Sequence, residues 1–159
     1  MNQSTAVCAE IDLEALASNV DLVRQMAGSD KQLIASIKAN AYGHSVIPIA
    51  QALQDLKVDA LATGSLEEAQ LLRQHGISLP ILLFAFADTE LTIRAATEGF
   101  IPTLTHFQMA KAISGAVKNA TPDYLKIDAG LGRLGQPINN ARKWIEKILY
   151  KKFPNISSL

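Results

Sequence analysis

A lysine stands where a short apolar segment gives way to a turn. The run Ile34–Ile37 has the largely apolar, β-branched character of a buried strand, and Lys38 follows it directly, just before the Tyr42-Gly43 turn. In parallel α/β proteins the loops after such strands converge on one concave face, where active sites are built. An amine held there can be partly desolvated and attack a carbonyl carbon, with the Tyr42 phenol at about the same level. Taken alone, a lysine at a strand end is usually just a solvated charge.

A glycine-rich segment with one arginine follows a later strand. It reads LKIDAGLGRLG from Leu125 to Gly135 and satisfies the G-x-G-x-x-G pattern of dinucleotide-binding proteins. That pattern normally opens the first βα unit and is followed about 20 residues later by an acidic residue, but residues 150–159 contain none. Arg133 offers a rigid fork of donors that fits planar pairs of oxygen atoms. For Lys126, a structural ion pair with an acid such as Asp128 is an open alternative to a role in chemistry.

Both segments resemble the motifs of one enzyme family. Lys38–His44, KANAYGH, is similar to the signature of alanine racemases that depend on pyridoxal 5'-phosphate (PLP), which usually continues with glycine where this chain has Ser45. The glycine-rich segment resembles the second motif of that family, which usually has threonine and methionine in place of Ala129 and Leu131. The opening Ala9–Leu16, AEIDLEAL, also resembles the start of the family.

The resemblance gives each candidate side chain a role. It implies that Lys38 carries PLP as a Schiff base and exchanges the substrate α-proton on one face as general acid and base. It implies that Tyr42 hydrogen-bonds the cofactor phosphate. Arg133 would contact the phenolic oxygen of the cofactor and help to position the substrate carboxylate. Lys126 matches a lysine that is carbamylated in many family members and orients this arginine.

The resemblance also implies an assembly larger than this chain. In the family, a tyrosine from the C-terminal β domain of a partner subunit serves the other face of the substrate, so a homodimer is expected. We therefore expect this chain to be an incomplete portion with little or no racemase activity alone, because one of the two proton-transfer faces is missing. The implied reaction interconverts L-alanine and D-alanine and supplies D-alanine for the peptidoglycan of the cell wall. Serine or another small amino acid as substrate stays open.

Alternating strands and helices must position these side chains. Apolar runs predict five strands, which end at Lys38, Thr63, Phe84, Leu104 and Ile127. The alternation with helical patterns predicts an α/β fold of parallel βα repeats. A closed TIM-type barrel needs eight strands and roughly 250 residues. Five strands and 159 residues are too few for a closed barrel. The resemblance therefore implies one domain over residues 1–159, a partial TIM-type PLP-binding barrel of about five strands whose sequence stops as a sixth strand begins, with the C-terminal β domain absent.

Capping patterns mark the ends of several helices. Asp12 precedes an apolar helical stripe and is the expected N-cap, and Ser65 with Glu68 forms a predicted capping box. The last helix is predicted from about Pro137 to Tyr150. Its expected inward side chains are Ile138, Ala141, Trp144, Ile145 and Ile148.

The composition argues against several other classes of protein. The formal net charge is zero, and a late basic cluster is typical of the solvated face of a helix, so no nucleic-acid partner is expected. Cys8 is the only cysteine, and His44, His75 and His106 show no metal-ligand spacing, so neither a disulfide nor a metal site is predicted. A secretory signal and a run long enough to span a bilayer are both lacking, which predicts a soluble, cytoplasmic protein.

Two other functions stay open from the sequence. A non-catalytic PLP-binding or partner-assembling module would account for the uncovered sheet edges of a partial barrel. A barrel aldolase that works through a lysine Schiff base would explain Lys38 but gives no reason for the motif around Arg133.

Overall fold

Helices and strands alternate along the described part of the chain. The computed structural model describes residues 8–28, 30–84, 86, 88–118, 121–151, 153 and 156–158. The helical segments are α1 (Leu13–Ala27), α2 (Lys38–Tyr42), α3 (Val46–Asp55), α4 (Leu66–Gln74), α5 (Thr89–Thr97), α6 (Phe107–Ala116) and α7 (Ile138–Lys151). The strands are β1 (Ile34–Ser36), β2 (Ala60–Thr63), β3 (Ile81–Leu83), β4 (Thr103–Leu104), β5 (Thr121–Leu125), β6 (Ile127–Asp128), β7 (Gln136–Pro137) and β8 (Ile156–Ser158). Within these ranges no helix is both long and apolar enough to cross a membrane.

Six strands run parallel to one another in the order of the chain. Strands β1, β2 and β3 form one sheet, with Ala35 opposite Leu61 and Leu61 opposite Ile81. A parallel bridge between Leu82 and Ile101 leads from β3 toward β4, and β4, β5 and β8 continue in parallel. The predicted α/β fold with parallel strands is therefore confirmed, and β8 occupies the place of the expected sixth strand.

The fifth strand ends earlier than its apolar pattern predicts. The ladder from β4 ends where Lys126 N donates to Leu104 O at 2.9 Å, and the chain then leaves the sheet. Ile127 belongs instead to β6, which pairs with β7, and Gln136 N donates to Lys126 O at 3.0 Å. The predicted strand end at Ile127 is wrong because this second pairing, which brings a later segment against the chain, has no local signal.

Two apolar clusters support the strands. The first joins β1, β2 and β3 to α3 and α4, and the second joins β4 and β5 to α6 and α7. Every residue of β2 and β3 is buried, as expected for strands covered on both faces. Of the side chains predicted to face inward on α7, Ile138 is 62% exposed, which corrects that expectation. It opens the helix, ahead of the turns whose Trp144 and Ile148 join the second cluster.

The N-cap of α1 forms as predicted. Asp12 Oδ1 accepts from Glu14 N at 2.8 Å and from Ala15 N at 3.1 Å. These bonds satisfy two backbone donors that the first turn of a helix cannot pair internally.

An Asp12→Ala substitution is expected to lower the free energy of unfolding by about 1 kcal/mol, because both donors lose their acceptor. The measurement is urea denaturation followed by circular dichroism. Asp21→Ala, in the exposed middle of the same helix, should change stability by less than about 0.5 kcal/mol. Equal effects of the two substitutions would contradict the capping role.

Candidate active site

A left-handed turn follows β1 and carries the first motif. Ala39, Asn40, Ala41 and Tyr42 have φ angles of 53°, 55°, 53° and 56°. For residues with a Cβ, this conformation costs roughly 1–2 kcal/mol each, so neighbouring contacts must hold it. The sequence predicts a turn here. The run of four left-handed residues is found only in the structure, because none of the four is a glycine that would signal it.

Glu68 and Asn40 connect this turn to its neighbours. Asn40 N donates to Glu68 Oε1 at 2.6 Å, and Thr63 Oγ1 donates to the other carboxylate oxygen. The side-chain oxygen of Asn40 accepts from Val46 N at 2.8 Å, at the start of α3. Ser65 Oγ accepts from Glu68 N at 3.0 Å, so the hydroxyl half of the predicted capping box is present. The carboxylate half is not as predicted, since Glu68 turns to Asn40 and Thr63.

The amine of Lys38 lies between two aromatic rings. Lys38 Nζ is 5.8 Å from the centre of the Tyr42 ring and 5.7 Å from that of Phe84. The side chain is half-buried, and the ion pairs within the described ranges do not include it. Ring faces attract an ammonium group without neutralising it, so the amine is placed but not tied to a carboxylate. The sequence identified Phe84 only as the end of a strand. Because the ends of parallel strands meet at one edge, that position could have indicated its proximity to Lys38.

A pair of hydroxyl groups, one from the turn and one from β1, lies near the amine. Tyr42 Oη and Ser36 Oγ are 3.0 Å apart, and either can donate to the other. The left-handed turn carries Tyr42 back toward the end of β1, and so the phenol and Lys38 stay on one side of the strand end. Each hydroxyl has one proton, so the bonded pair keeps one O–H that can be donated to an anionic oxygen.

The second motif forms a loop organised by Asp128. Its Oδ1 accepts from Gly130 N at 3.0 Å, and its Oδ2 accepts from Gly132 N at 2.9 Å. Within the described residues, no ion pair joins Asp128 to Lys126. The alternative that Lys126 is a structural partner of this acid is therefore not what the structure contains.

Lys126 and Arg133 line one shallow cavity of about 290 Å³. Leu131 and Leu134 belong to the same lining, and Arg133 itself is exposed. The loop thus brings an ammonium and a guanidinium group to a common space. Both groups can attract the oxygen atoms of an anion, and Asp128, which also lines the cavity, already uses its carboxylate oxygens to accept from Gly130 N and Gly132 N.

Gly135 closes the loop against Lys126. A Cβ atom built at Gly135 would lie 2.9 Å from Lys126 Cγ and 2.9 Å from Lys126 O, and its φ is +109°. Gln136 holds the same junction, since its side-chain amide donates to Thr105 O at 2.9 Å. Glycine is therefore required here by close packing as well as by backbone conformation.

The two motifs lie at the same edge of the parallel strands. Lys38 follows β1 and Lys126 follows β5, and the strands between them are parallel. Four strand spacings of about 4.8 Å, roughly 19 Å along the sheet, separate them. The structure thus pairs Lys38 with Tyr42 and Lys126 with Arg133, at one rim.

The three histidines bind backbone groups of their own segments. His44 Nδ1 lies 2.8 Å from Ala41 O, His75 Nδ1 lies 2.9 Å from Leu71 O, and His106 Nδ1 accepts from Met109 N at 3.0 Å. These contacts stabilise a turn, a helix end and a helix start. In the part of the chain that the structure describes, no three His, Cys, Asp or Glu side chains are grouped so as to hold a metal ion.

A larger cavity of about 560 Å³ lies between α1, α3 and β1. Its lining is mostly aliphatic and includes Leu16, Val20, Ile37 and Leu53, but neither Lys38 nor Tyr42. Its position beside β1, an edge strand of its sheet, marks it as a gap in packing rather than as the place where the two motifs act.

Comparison with known proteins gives one consistent family. The family model described as "Alanine racemase, N-terminal domain" matches residues 11–158. An alanine racemase of Desulforamulus reducens is 36% identical over 133 residues, which cover 81% of this chain and 36% of that protein. An alanine racemase of Pasteurella multocida is 37% identical over 152 residues, 93% of this chain and 41% of that protein. The chain thus spans about two fifths of the length of these relatives.

Solved structures of the same family share the fold. The alanine racemase of Clostridium difficile 630 in complex with cycloserine superposes with a TM-score of 0.86 at 29% identity, covering 99% of this chain and 44% of the other. The alanine racemase of Corynebacterium glutamicum gives a TM-score of 0.79 at 32% identity, with coverage of 93% and 43%. Nearly the whole of this chain therefore has a counterpart in each of these structures.

Proposed function

The chain belongs to the alanine racemase N-terminal domain family, and from this premise we propose that it forms the cofactor-holding part of a PLP-dependent alanine racemase. The reaction would interconvert L-alanine and D-alanine. The observation that carries the proposal is the placement of Lys38 and Tyr42 on one turn, at the same sheet rim as Lys126 and Arg133.

The residues at the rim fit PLP. The PLP aldehyde reacts with an amine that is not held in an ion pair with a carboxylate. Lys38 meets this need, because its amine lies near two ring faces rather than beside an acid. The phosphate of PLP needs hydrogen-bond donors, and the hydroxyls of Tyr42 and Ser36 stand 3.0 Å apart. Its phenolic oxygen needs a cationic donor, and Arg133 is an exposed one at the same rim. When bound, PLP supplies the electron sink that makes the α-proton of an amino acid removable.

Each side chain then has a defined task. Lys38 holds the cofactor through its amine and, when the substrate has taken that place, carries the α-proton to and from one face of the substrate. Tyr42 orients the phosphate, and Arg133 attracts the substrate carboxylate and the phenolic oxygen. If Lys126 is carbamylated, its new negative charge would orient the guanidinium of Arg133 in their shared cavity.

The wider assembly is part of the same proposal. We infer that residues 1–159 correspond to an incomplete TIM-type barrel domain, and that the rest of the barrel and a C-terminal β domain complete the enzyme. A partner subunit in a homodimer would supply the tyrosine for the second face of the substrate. The enzyme would work in the cytoplasm and supply D-alanine for peptidoglycan, and serine is a possible competing substrate.

Proton exchange into D2O tests this function. With PLP added, the chain is expected to replace the α-proton of one alanine enantiomer by deuterium at least about 100-fold faster than free PLP does, because Lys38 acts as a positioned base on one face. Proton NMR of the two enantiomers, incubated separately, gives the rates. Net conversion of one enantiomer into the other is expected to be slight, because the second face lacks its acid.

A non-catalytic PLP-binding or partner-assembling module is the second candidate, and the edge strand β1 favours it. The same experiment separates the two. Capture of PLP on Lys38 without deuterium exchange in either enantiomer would support the module and overturn the racemase proposal. Equal exchange of both enantiomers would contradict the assignment of Lys38 to a single face.

A further inference from the structure

The left-handed turn α2 is joined to the neighbouring βα unit through one carboxylate. Glu68 Oε1 accepts from Asn40 N at 2.6 Å, and Oε2 accepts from the hydroxyl of Thr63. We propose that Glu68 is a positioning residue, which sets the location of Lys38 and Tyr42 by holding the backbone between them. The consequence for the cofactor rests on the proposed function, whereas the hold on the turn does not.

The geometry aims the carboxylate at the turn. Thr63 is fully buried at the end of β2, and its hydroxyl fixes one oxygen of Glu68. The start of α4 fixes the other end of the residue, because Glu68 N donates to Ser65 Oγ. With the backbone and one carboxylate oxygen held, the second oxygen accepts from Asn40 N. The resulting bond is short and charge-assisted, which is the stronger class of hydrogen bond.

Asn40 is the residue of the turn that forms hydrogen bonds to both α4 and α3. It lies midway between Lys38 and Tyr42, and its side-chain oxygen accepts from Val46 N. The backbone bond to Glu68 and the side-chain bond to α3 therefore hold this residue at two atoms. Within the turn the remaining bonds, such as Ala41 N to Ile37 O at 2.9 Å, are local. Ile37 N donates to Ala62 O at 2.8 Å and ties the start of the turn to β2. The bond from Asn40 to Glu68 adds a tie in the middle of the turn, between Lys38 and Tyr42.

The loop that carries Glu68 runs close to the stem of Lys38. A Cβ atom built at Gly64 would lie 3.7 Å from Lys38 Cβ, so an added methyl group would just reach the lysine stem. The same loop, through Glu68, holds the turn at Asn40, two residues further along. Loss of the carboxylate would release the backbone that leads to Tyr42.

Backbone amide exchange in the chain without cofactor tests the hold. In Glu68→Ala, the amide of Asn40 is expected to exchange at least about tenfold faster, because it loses a charge-assisted acceptor. Glu67→Ala removes the same charge from the exposed neighbouring position of the same helix turn and should leave this amide unchanged. Glu68→Gln keeps an acceptor at the same place and is expected to restore exchange to within about threefold of the parent chain.

A milder variant keeps the test decisive if Glu68→Ala does not fold. Thr63→Val retains the branched shape and removes only the hydroxyl that orients the carboxylate, so it should raise Asn40 exchange by a smaller factor. Unchanged exchange of Asn40 in either variant, or an equal increase in Glu67→Ala, would overturn the inference.

Binding of PLP gives the second readout. Glu68→Ala is expected to raise the dissociation constant for PLP by at least about fivefold. Glu68→Gln should restore the affinity of the parent chain, and Glu67→Ala should leave the affinity unchanged. Faster Asn40 exchange with unaltered PLP affinity would overturn the positioning of Lys38. If the parent chain itself captures no PLP on Lys38, the proposed function fails, while the exchange experiment still decides whether Glu68 holds the turn.

Discussion

A Lys38→Ala chain is expected to lose all borohydride-stable incorporation of PLP, whereas the parent chain should incorporate it stoichiometrically. Only a neutral amine can join covalently to the aldehyde, and the structure places this one at the sheet rim between the rings of Tyr42 and Phe84. The measurement is intact mass after reduction, followed by peptide mapping. The modified peptide should contain Lys38.

Two further variants make the test specific. Lys111→Ala removes an exposed lysine from α6 and should leave incorporation unchanged. Lys38→Arg keeps the positive charge between the rings but offers no amine for the aldehyde, so it should behave as Lys38→Ala does. Incorporation spread over surface lysines, or retained in Lys38→Ala, would contradict both the residue assignment and the proposed function.

Gly135→Ala is expected to produce the largest loss of stability among substitutions in the second motif, about 2–4 kcal/mol. Part of the cost is the positive φ of +109°, which a Cβ makes unfavourable. The larger part is steric repulsion, because that Cβ would lie 2.9 Å from Lys126 O and 2.9 Å from Lys126 Cγ. The backbone at Lys126, directly after β5, would have to shift to remove this overlap. Urea denaturation measures the change in the free energy of unfolding.

Gly132→Ala is the matched control in the same loop. Gly132 also has a positive φ, of +73°, but a Cβ there meets no atom within 4 Å. Only the conformational cost applies, so we expect a loss of roughly 1–2 kcal/mol. Equal losses of unfolding free energy in the two variants would show that close packing against Lys126 does not contribute to the effect of Gly135→Ala. Because Gly135 packs on Lys126, its substitution should also disturb the cavity that Lys126 shares with Arg133.

Strand ends were the part of the site that the sequence predicted well. The ends predicted at Thr63, Phe84 and Leu104 agree with β2, β3 and β4 to within one residue, because a buried strand needs a continuous apolar run and a polar or glycine-containing break. The ends predicted at Lys38 and Ile127 each lie two residues beyond the observed ends of β1 and β5. The parallel order follows from the alternation with helices. Placement of both motifs at one rim follows in turn, since parallel strands share a carboxyl edge.

Partners distant in sequence were predicted poorly. The pattern of Ser65 and Glu68 indicated a local capping box, yet the carboxylate binds Asn40, 28 positions away. Asp128 was an open partner for Lys126, yet it accepts from Gly130 and Gly132. In both cases several different donors could form a hydrogen bond with the same carboxylate. The choice among them depends on which segments the fold brings near, and local spacing carries no information about that.

By itself, the sequence determined the α/β class and the edge at which the two motifs lie, because these depend on periodicity and on runs of apolar residues. The family was indicated by the resemblance of the two motifs, and the match to the family model over residues 11–158 shows it. Only the tertiary structure decided that Ala39–Tyr42 would wind left-handed and that Glu68 would hold Asn40. The physical reason is that such a turn is unfavourable for the isolated segment. An acceptor for Asn40 N comes from Glu68 of α4, whose carboxylate also binds Thr63 of β2, so partners far along the chain contribute to holding the turn.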